Sequence, residues 1–259
     1  MFDLTKRQKI IVASVLVTLG LLSTQLVDFN LRFRFLVALS LFTYLVSLWA
    51  LWEGIDKLKA LVILILPTLF TLAVASFYFL LPVRWLTRLP VAVIFGLAFY
   101  SLLLSQNVFN VAAIRTIPLY RAASTVTFLF TLITAFFIFN VIHAFNFLFI
   151  WNGLLVALIS FLLILQVLWS IEMEERISVD VLLQSLVLSL SLGELAVVFS
   201  FWPLGHIMWG IILSAAMYVL LGLTTHHLKE RLSKRIIWEY LIIGTAVFLI
   251  AFFATSWTG

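Results

Sequence analysis

The sequence predicts an all-α polytopic transmembrane helical bundle of nine spans, arranged as a 4+4+1 parallel internal repeat. Three observations predict it. The chain is 64% hydrophobic and only 10% charged, with a mean hydropathy of +1.22. Its apolar residues fall in runs near the roughly 20 residues that cross a bilayer's hydrocarbon core. Two stretches about 120 residues apart read as copies of each other. A soluble chain of 259 residues would have too little polar surface to cover so much apolar material, so the bilayer is its natural solvent.

The spans expected are 10–27, 34–54, 59–81, 89–110, 122–143, 146–170, 179–201, 204–224 and 236–256. Lys6, Arg7 and Lys9 precede the first, as in a signal peptide. No small-x-small cleavage site follows in Leu22-Ser23-Thr24-Gln25-Leu26, so it reads as a retained helix. The fourth span has the least definite end, anywhere from Ser105 to Ala113.

Basic residues in cytoplasmic loops set orientation. With the N-terminus inside, Lys6, Arg7, Lys9, Lys57, Lys59, Arg115, Arg121, Arg176, Lys229, Arg231, Lys234 and Arg235 are inner, and only Arg32, Arg34, Arg84 and Arg88 are outer. The expected location is therefore a prokaryotic plasma membrane, N-terminus cytoplasmic and C-terminus outside. All nine tryptophans fall near span ends, where amphipathic rings prefer the headgroup level. The pI near 9.7 does not imply a nucleic-acid partner, because the basic residues are scattered singly between apolar runs. The absence of cysteine excludes disulfides, thiolate metal sites and cysteine nucleophiles.

The whole chain, 1–259, reads as one integral membrane domain. Its repeat halves are approximately 1–110 and 122–230, and the span 236–256 is extra. Phe29-Asn30, Leu36-Val37-Ala38-Leu39, Phe42 and Leu48-Trp49 match Phe145-Asn146, Leu155-Val156-Ala157-Leu158, Phe161 and Leu168-Trp169. Leu72-Ala73-Val74, Pro82 and Ala98-Phe99-Tyr100 match Leu195-Ala196-Val197, Pro203 and Ala216-Met217-Tyr218. Four spans per copy give both copies the same orientation, and repeat-built membrane proteins often bind where repeats meet.

Three constellations carry the candidate chemistry. Asp180, Gln184, Ser191 and Glu194 lie within about 80° of one another on the seventh span, at 100° per residue. They read as a proton-, ion- or substrate-facing surface turned to the bundle, or as polar groups hydrogen-bonded to neighbouring helices. At the inner end of the fourth span, Tyr100, Gln106, Asn107 and Asn110 share a side and Arg115 and Arg121 follow. These are candidate anion contacts, or ordinary interfacial polarity. Glu53 and Asp56 follow the second span, and Glu172, Glu174 and Glu175 follow the sixth. Glu53 and Glu172 stand 119 residues apart, near the repeat offset. Paired carboxylates at such places hold Mg²⁺ against a diphosphate, or are solvated loop acids.

In its nine spans, two four-helix halves, inner N-terminus and acids after spans 2 and 6, the chain resembles the UbiA-type intramembrane prenyltransferases. The resemblance is architectural and covers the whole chain. It implies a lipid-like or isoprenoid substrate at the cytoplasmic side and Mg²⁺ as cofactor. The family's first motif, N-D-x-x-D-x-x-x-D, is represented by Glu53 and Asp56, with Lys57 and Lys59 where further acids stand in the family. Its D-x-x-x-D and R-T-x-x-R-P motifs have no direct match. Transport of a small solute or ion through the span-7 stripe and a non-catalytic membrane subunit are the alternatives. No metal site is assigned from spacing: His143 and His206 sit at outer span ends and His226-His227 at an inner one, as interfacial histidines.

Overall fold

The computed structural model describes residues 5–24, 31–53, 57–79, 85–112, 119–173 and 176–255. Among them every regular element is helical: α1 Lys6–Ser23, α2 Arg32–Leu51, α3 Lys57–Ile63, α4 Ile65–Tyr78, α5 Trp85–Ala112, α6 Tyr120–Ala144, α7 Phe149–Glu172, α8 Val179–Phe199, α9 His206–Leu228 and α10 Lys234–Ala254. Among the described residues, eight helical stretches are long and apolar enough to cross a membrane, with α3 and α4 counted together from Lys59 to Tyr78. The first expected span corresponds to α1, whose first four residues include Lys6, Arg7 and Lys9. Beyond them Ile10–Ser23 offers about 21 Å of helix at 1.5 Å per residue.

Local chemistry sets the interruptions and ends. Pro67 has no amide hydrogen for the carbonyl of Ile63 and its ring crowds that carbonyl, so the helix breaks at Leu64. Pro90 lies inside α5 and marks where its apolar stretch begins at Leu89. Asn146, after α6, adopts φ 51°, a left-handed conformation that asparagine tolerates better than most residues. Ser178 caps α8 by accepting the amide of Val181 at 3.2 Å, and Asp180 sits in that first turn, where the helix dipole favours an acid.

The chain forms two compact units, residues 1–134 and 135–259. In the first, α1 packs against α2 and α5, and α2 against α4. Ile10, Ala13, Val17 and Leu21 face inward along α1 at helical spacing. Phe70 stacks on Phe95 at 5.5 Å and meets Phe130 edge-on at 5.2 Å. In the second unit α7 and α8 form the closest pair, while α9 packs on α8 and α10. A Cβ on Gly193 would lie 2.9 Å from the carbonyl oxygen of Gly153 and 2.9 Å from Cβ of Ala157. Two glycines thus let these backbones touch, the usual device of membrane helices, which gain nothing from apolar burial alone.

The exterior is largely apolar, and the interior holds many polar side chains. Leu41, Leu45, Leu97, Val187, Leu190 and Ile250 are exposed, whereas Thr43, Ser47, Gln106, Asn110, Asn140, Asn152 and Gln166 are buried. A soluble domain shows the reverse. Trp49, Trp52, Trp151 and Trp238 are exposed near helix ends, as an interfacial belt requires. Trp169 and Trp209 lie near helix ends too, but turn inward and are fully buried.

The α7–α8 contact predicts a specific sensitivity. Gly193→Val overpacks the seam and lowers stability by about 1–3 kcal/mol, read as a lower thermal midpoint in detergent. Gly205→Ser, at the α9 N-cap with nothing within 4 Å, stays neutral or stabilising. Equal midpoints for Gly193→Val and wild type contradict the packing.

Candidate functional site

The seventh-span stripe maps onto α8, which presents Leu183, Val187, Leu190 and Val198 on its exposed side. Glu194 belongs to that exposed side, not to the interior of its unit, and stands five residues before the end of α8. At 1.5 Å per residue it lies about 7–8 Å from that end. Asp180 is exposed in the first turn, and Gln184 is half-buried one turn further on.

Glu194 and Ser191 line a laterally open groove of about 530 Å³ in the second unit. Its floor is α9, through Ile212, Ala215, Ala216, Val219 and Leu220. One wall is α8, through Leu195, Val198 and Phe199, and the other is α10, through Gly244 and Phe248. Ala215 and Ala216 keep the floor low. Trp202 touches both Phe199 and Phe248, at centroid distances of 5.9 and 5.5 Å, and so ties the walls together at one end. The Ser191 hydroxyl donates to the Val187 carbonyl at 3.0 Å, as hydroxyls in apolar helices commonly do. Among the described residues the Glu194 carboxylate is the only ionisable group on the groove.

Residues 52–254 match a family described as "Protein of unknown function (DUF5656)". The chain belongs to the DUF5656 family. No curated protein and no solved structure matches it. The DUF5656 match covers α3 to α10 and therefore the whole groove.

Two of the anion candidates of this DUF5656 chain, Gln106 and Asn110, are engaged in helix packing. Asn110 Nδ2 donates to the carbonyls of Leu51 and Glu53, both at 3.1 Å, and so satisfies acceptors left open where α2 ends. Gln106 is buried and donates to Thr127 Oγ1 at 3.3 Å. Asn107 is half-buried and Arg121 exposed, while Arg115 lies outside the described residues.

Of the acids, Glu53 accepts a hydrogen bond from Lys9 Nζ at 2.7 Å, and its backbone carbonyl accepts one from Lys6 Nζ at 2.9 Å. The Lys9 ammonium holds the Glu53 carboxyl below its ordinary value. Glu172 accepts from the Ser178 hydroxyl at 2.9 Å, which braces the α7–α8 turn. Asp56, Glu174 and Glu175 lie outside the described residues. Among the described residues no three His, Cys, Asp or Glu side chains converge as a metal cluster. In this arrangement the Glu53 carboxylate is paired with Lys9.

One arrangement was hidden from sequence reading. His143, in the last turn of α6, meets His206, the first residue of α9, with 3.0 Å between their Nδ1 atoms. The two are 63 residues apart, so no local spacing announces the contact.

The Lys9–Glu53 pair predicts a pH effect. A carboxyl depressed below its ordinary 4.5 stabilises the fold above that value, and the contribution is lost as pH falls through the lower, folded value. The wild-type thermal midpoint therefore falls as the pH is lowered below the ordinary carboxyl value. The drop is shallower in Lys9→Met, and identical pH profiles contradict the pairing.

Proposed function

We propose that this membrane protein accommodates an amphipathic, lipid-like molecule in the α8–α9–α10 groove, with Glu194 as the contact for its polar part. The observation that carries the reading is one exposed carboxylate on an otherwise apolar, laterally open cleft. An ionisable group in a transmembrane helix is costly unless water, a partner or a ligand meets it. The groove's volume falls within the roughly 300–1,000 Å³ typical of small-molecule sites. The cleft between two helix walls suits an acyl or isoprenoid chain, and the carboxylate suits an amine or hydroxyl on it. Prenyl transfer is not part of this reading, because no acid among the described residues faces the groove except Glu194. Ion transport is less favoured, because only Ser191 and Glu194 of the stripe reach the groove.

The test is lipid retained through purification, measured by mass spectrometry, with a photoactivatable lipid to locate it. Glu194→Gln keeps the shape and loses the charge. It weakens retention of the bound species by roughly tenfold, the worth of a charge-assisted hydrogen bond. Glu194→Leu weakens it further without lowering the thermal midpoint. An unchanged lipid profile in both variants, or crosslinks that avoid α8 to α10, refutes the reading.

We also propose that residues 1–110 and 122–230 are duplicated four-span arrays. Buried positions support it. On α2 and α7, Leu39, Thr43, Ser47 and Leu51 correspond to Val156, Ser160, Ile164 and Leu168, each 117 residues on. This register differs by two, about 200° of helix, from the Leu-Val-Ala-Leu match, under which buried Leu39 pairs with exposed Leu158, so the support comes from α5 and α9 and not from α2 and α7. On α5 and α9, Ala92, Phe95, Phe99 and Leu103 correspond to Gly210, Leu213, Met217 and Leu221, each 118 residues on. Superposing α1–α5 on α6–α9 in an experimental structure gives the same helix order and handedness if duplication occurred. A different handedness contradicts it.

A further inference from the structure

We propose that His143 and His206 bind a divalent cation of the zinc class where α6 ends and α9 begins. Nothing in this inference depends on the lipid groove. The two Nδ1 atoms are 3.0 Å apart. Two nitrogen ligands at 2.0–2.1 Å from a tetrahedral zinc ion lie about 3.3 Å apart, so the pair needs to open by only a few tenths of an ångström.

Of the two ligands, His143 is held in place before any ion arrives, and His206 is exposed beside it. The His143 ring stacks on Trp209, with centroids 4.8 Å apart and planes 29° apart, and Trp209 is fully buried. The helices beneath are clamped. A Cβ on Gly210 would lie 3.2 Å from the Phe136 carbonyl oxygen and 3.3 Å from Asn140, so α6 and α9 touch through their backbones one turn below the histidines. Ligands fixed by packing lose little freedom on binding, which is what a two-residue site needs.

A second observation points to a ligand beside His143, in a cavity that His206 does not line. His143 lines a cavity of about 260 Å³ together with Asn146, Asn152 and Ser200. Asn152 is 3% exposed and its Nδ2 donates to Ser200 Oγ at 3.1 Å. Its Oδ1 is buried with no hydrogen-bond partner. A buried acceptor left alone costs about 1–3 kcal/mol, so it favours a cation, or water held by one, in the cavity. Imidazole lone pairs select a borderline ion such as Zn²⁺ over Mg²⁺ or Ca²⁺, which prefer all-oxygen sets. Water completes the coordination shell. The two helix ends act oppositely on a cation, favourably at the α6 C-terminus and unfavourably at the α9 N-terminus, so the ligands decide the affinity.

The test is calorimetric titration of the full-length protein in detergent with zinc chloride alone. Wild type binds one ion. His143→Gln and His206→Gln each weaken binding at least tenfold, while the double variant His226→Ala/His227→Ala binds as wild type does. Asn152→Asp places a charged oxygen at the orphan acceptor and tightens binding about tenfold, a gain that misfolding does not mimic. The proposal is overturned if wild type takes up no zinc. It is equally overturned if either glutamine variant binds undiminished, if the His226/His227 change abolishes binding, or if Asn152→Asp leaves affinity unchanged.

Discussion

Hydrocarbon offers no hydrogen bonds, and that constraint decides where each polar side chain in this protein goes. Most hydroxyls turn back on their own helix: Thr43 donates to Leu39, Thr131 to Thr127, Thr134 to Phe130 and Ser185 to Val181, at 2.7–2.9 Å. Longer polar groups use neighbouring elements, as Asn110 does at the end of α2 and Asn152 at Ser200. The interior can then be polar and finely fitted while the exterior stays apolar. Small residues do the rest. Gly153 and Gly193 bring α7 and α8 into backbone contact, and close packing replaces the hydrophobic drive that lipid cancels.

Against that background Glu194 stands out. It neither turns back on its helix nor enters the interior, and its neighbours on the exposed side of α8 are Leu190 and Val198. The groove beside it exists because α10 leans on α9 rather than filling the space next to α8. Ala251 is the one α10 residue buried among those described, so this helix forms a wall and not part of a core. A carboxylate placed on such a cleft makes physical sense when the occupant brings a donor or a positive charge to it.

Much of the fold was legible because the membrane imposes a length. Apolar runs of about 20 residues marked the spans, and the helices of the structure follow those runs to within a few residues. The run 59–81, expected as one span, is instead interrupted at Leu64, for which Pro67 supplies the physical reason. The site was less legible. On a helix apolar all round, such as α8, periodicity cannot tell which face is covered. The expectation that the stripe faces the bundle therefore fails for Glu194, because the covered face is set by Gly193 meeting Gly153. Asn110 resembled an anion contact because its partners are carbonyls of α2, far away in sequence. The His143–His206 contact depends wholly on tertiary packing of α6 and α9.

The most direct measurement is an experimental structure of the protein in a lipid nanodisc. The account predicts an ordered chain in the α8–α9–α10 groove, with a polar group within hydrogen-bond distance of the Glu194 carboxylate. A groove closed by α10 packing onto α8, or filled by disordered lipid with Glu194 turned away from it, would contradict the account.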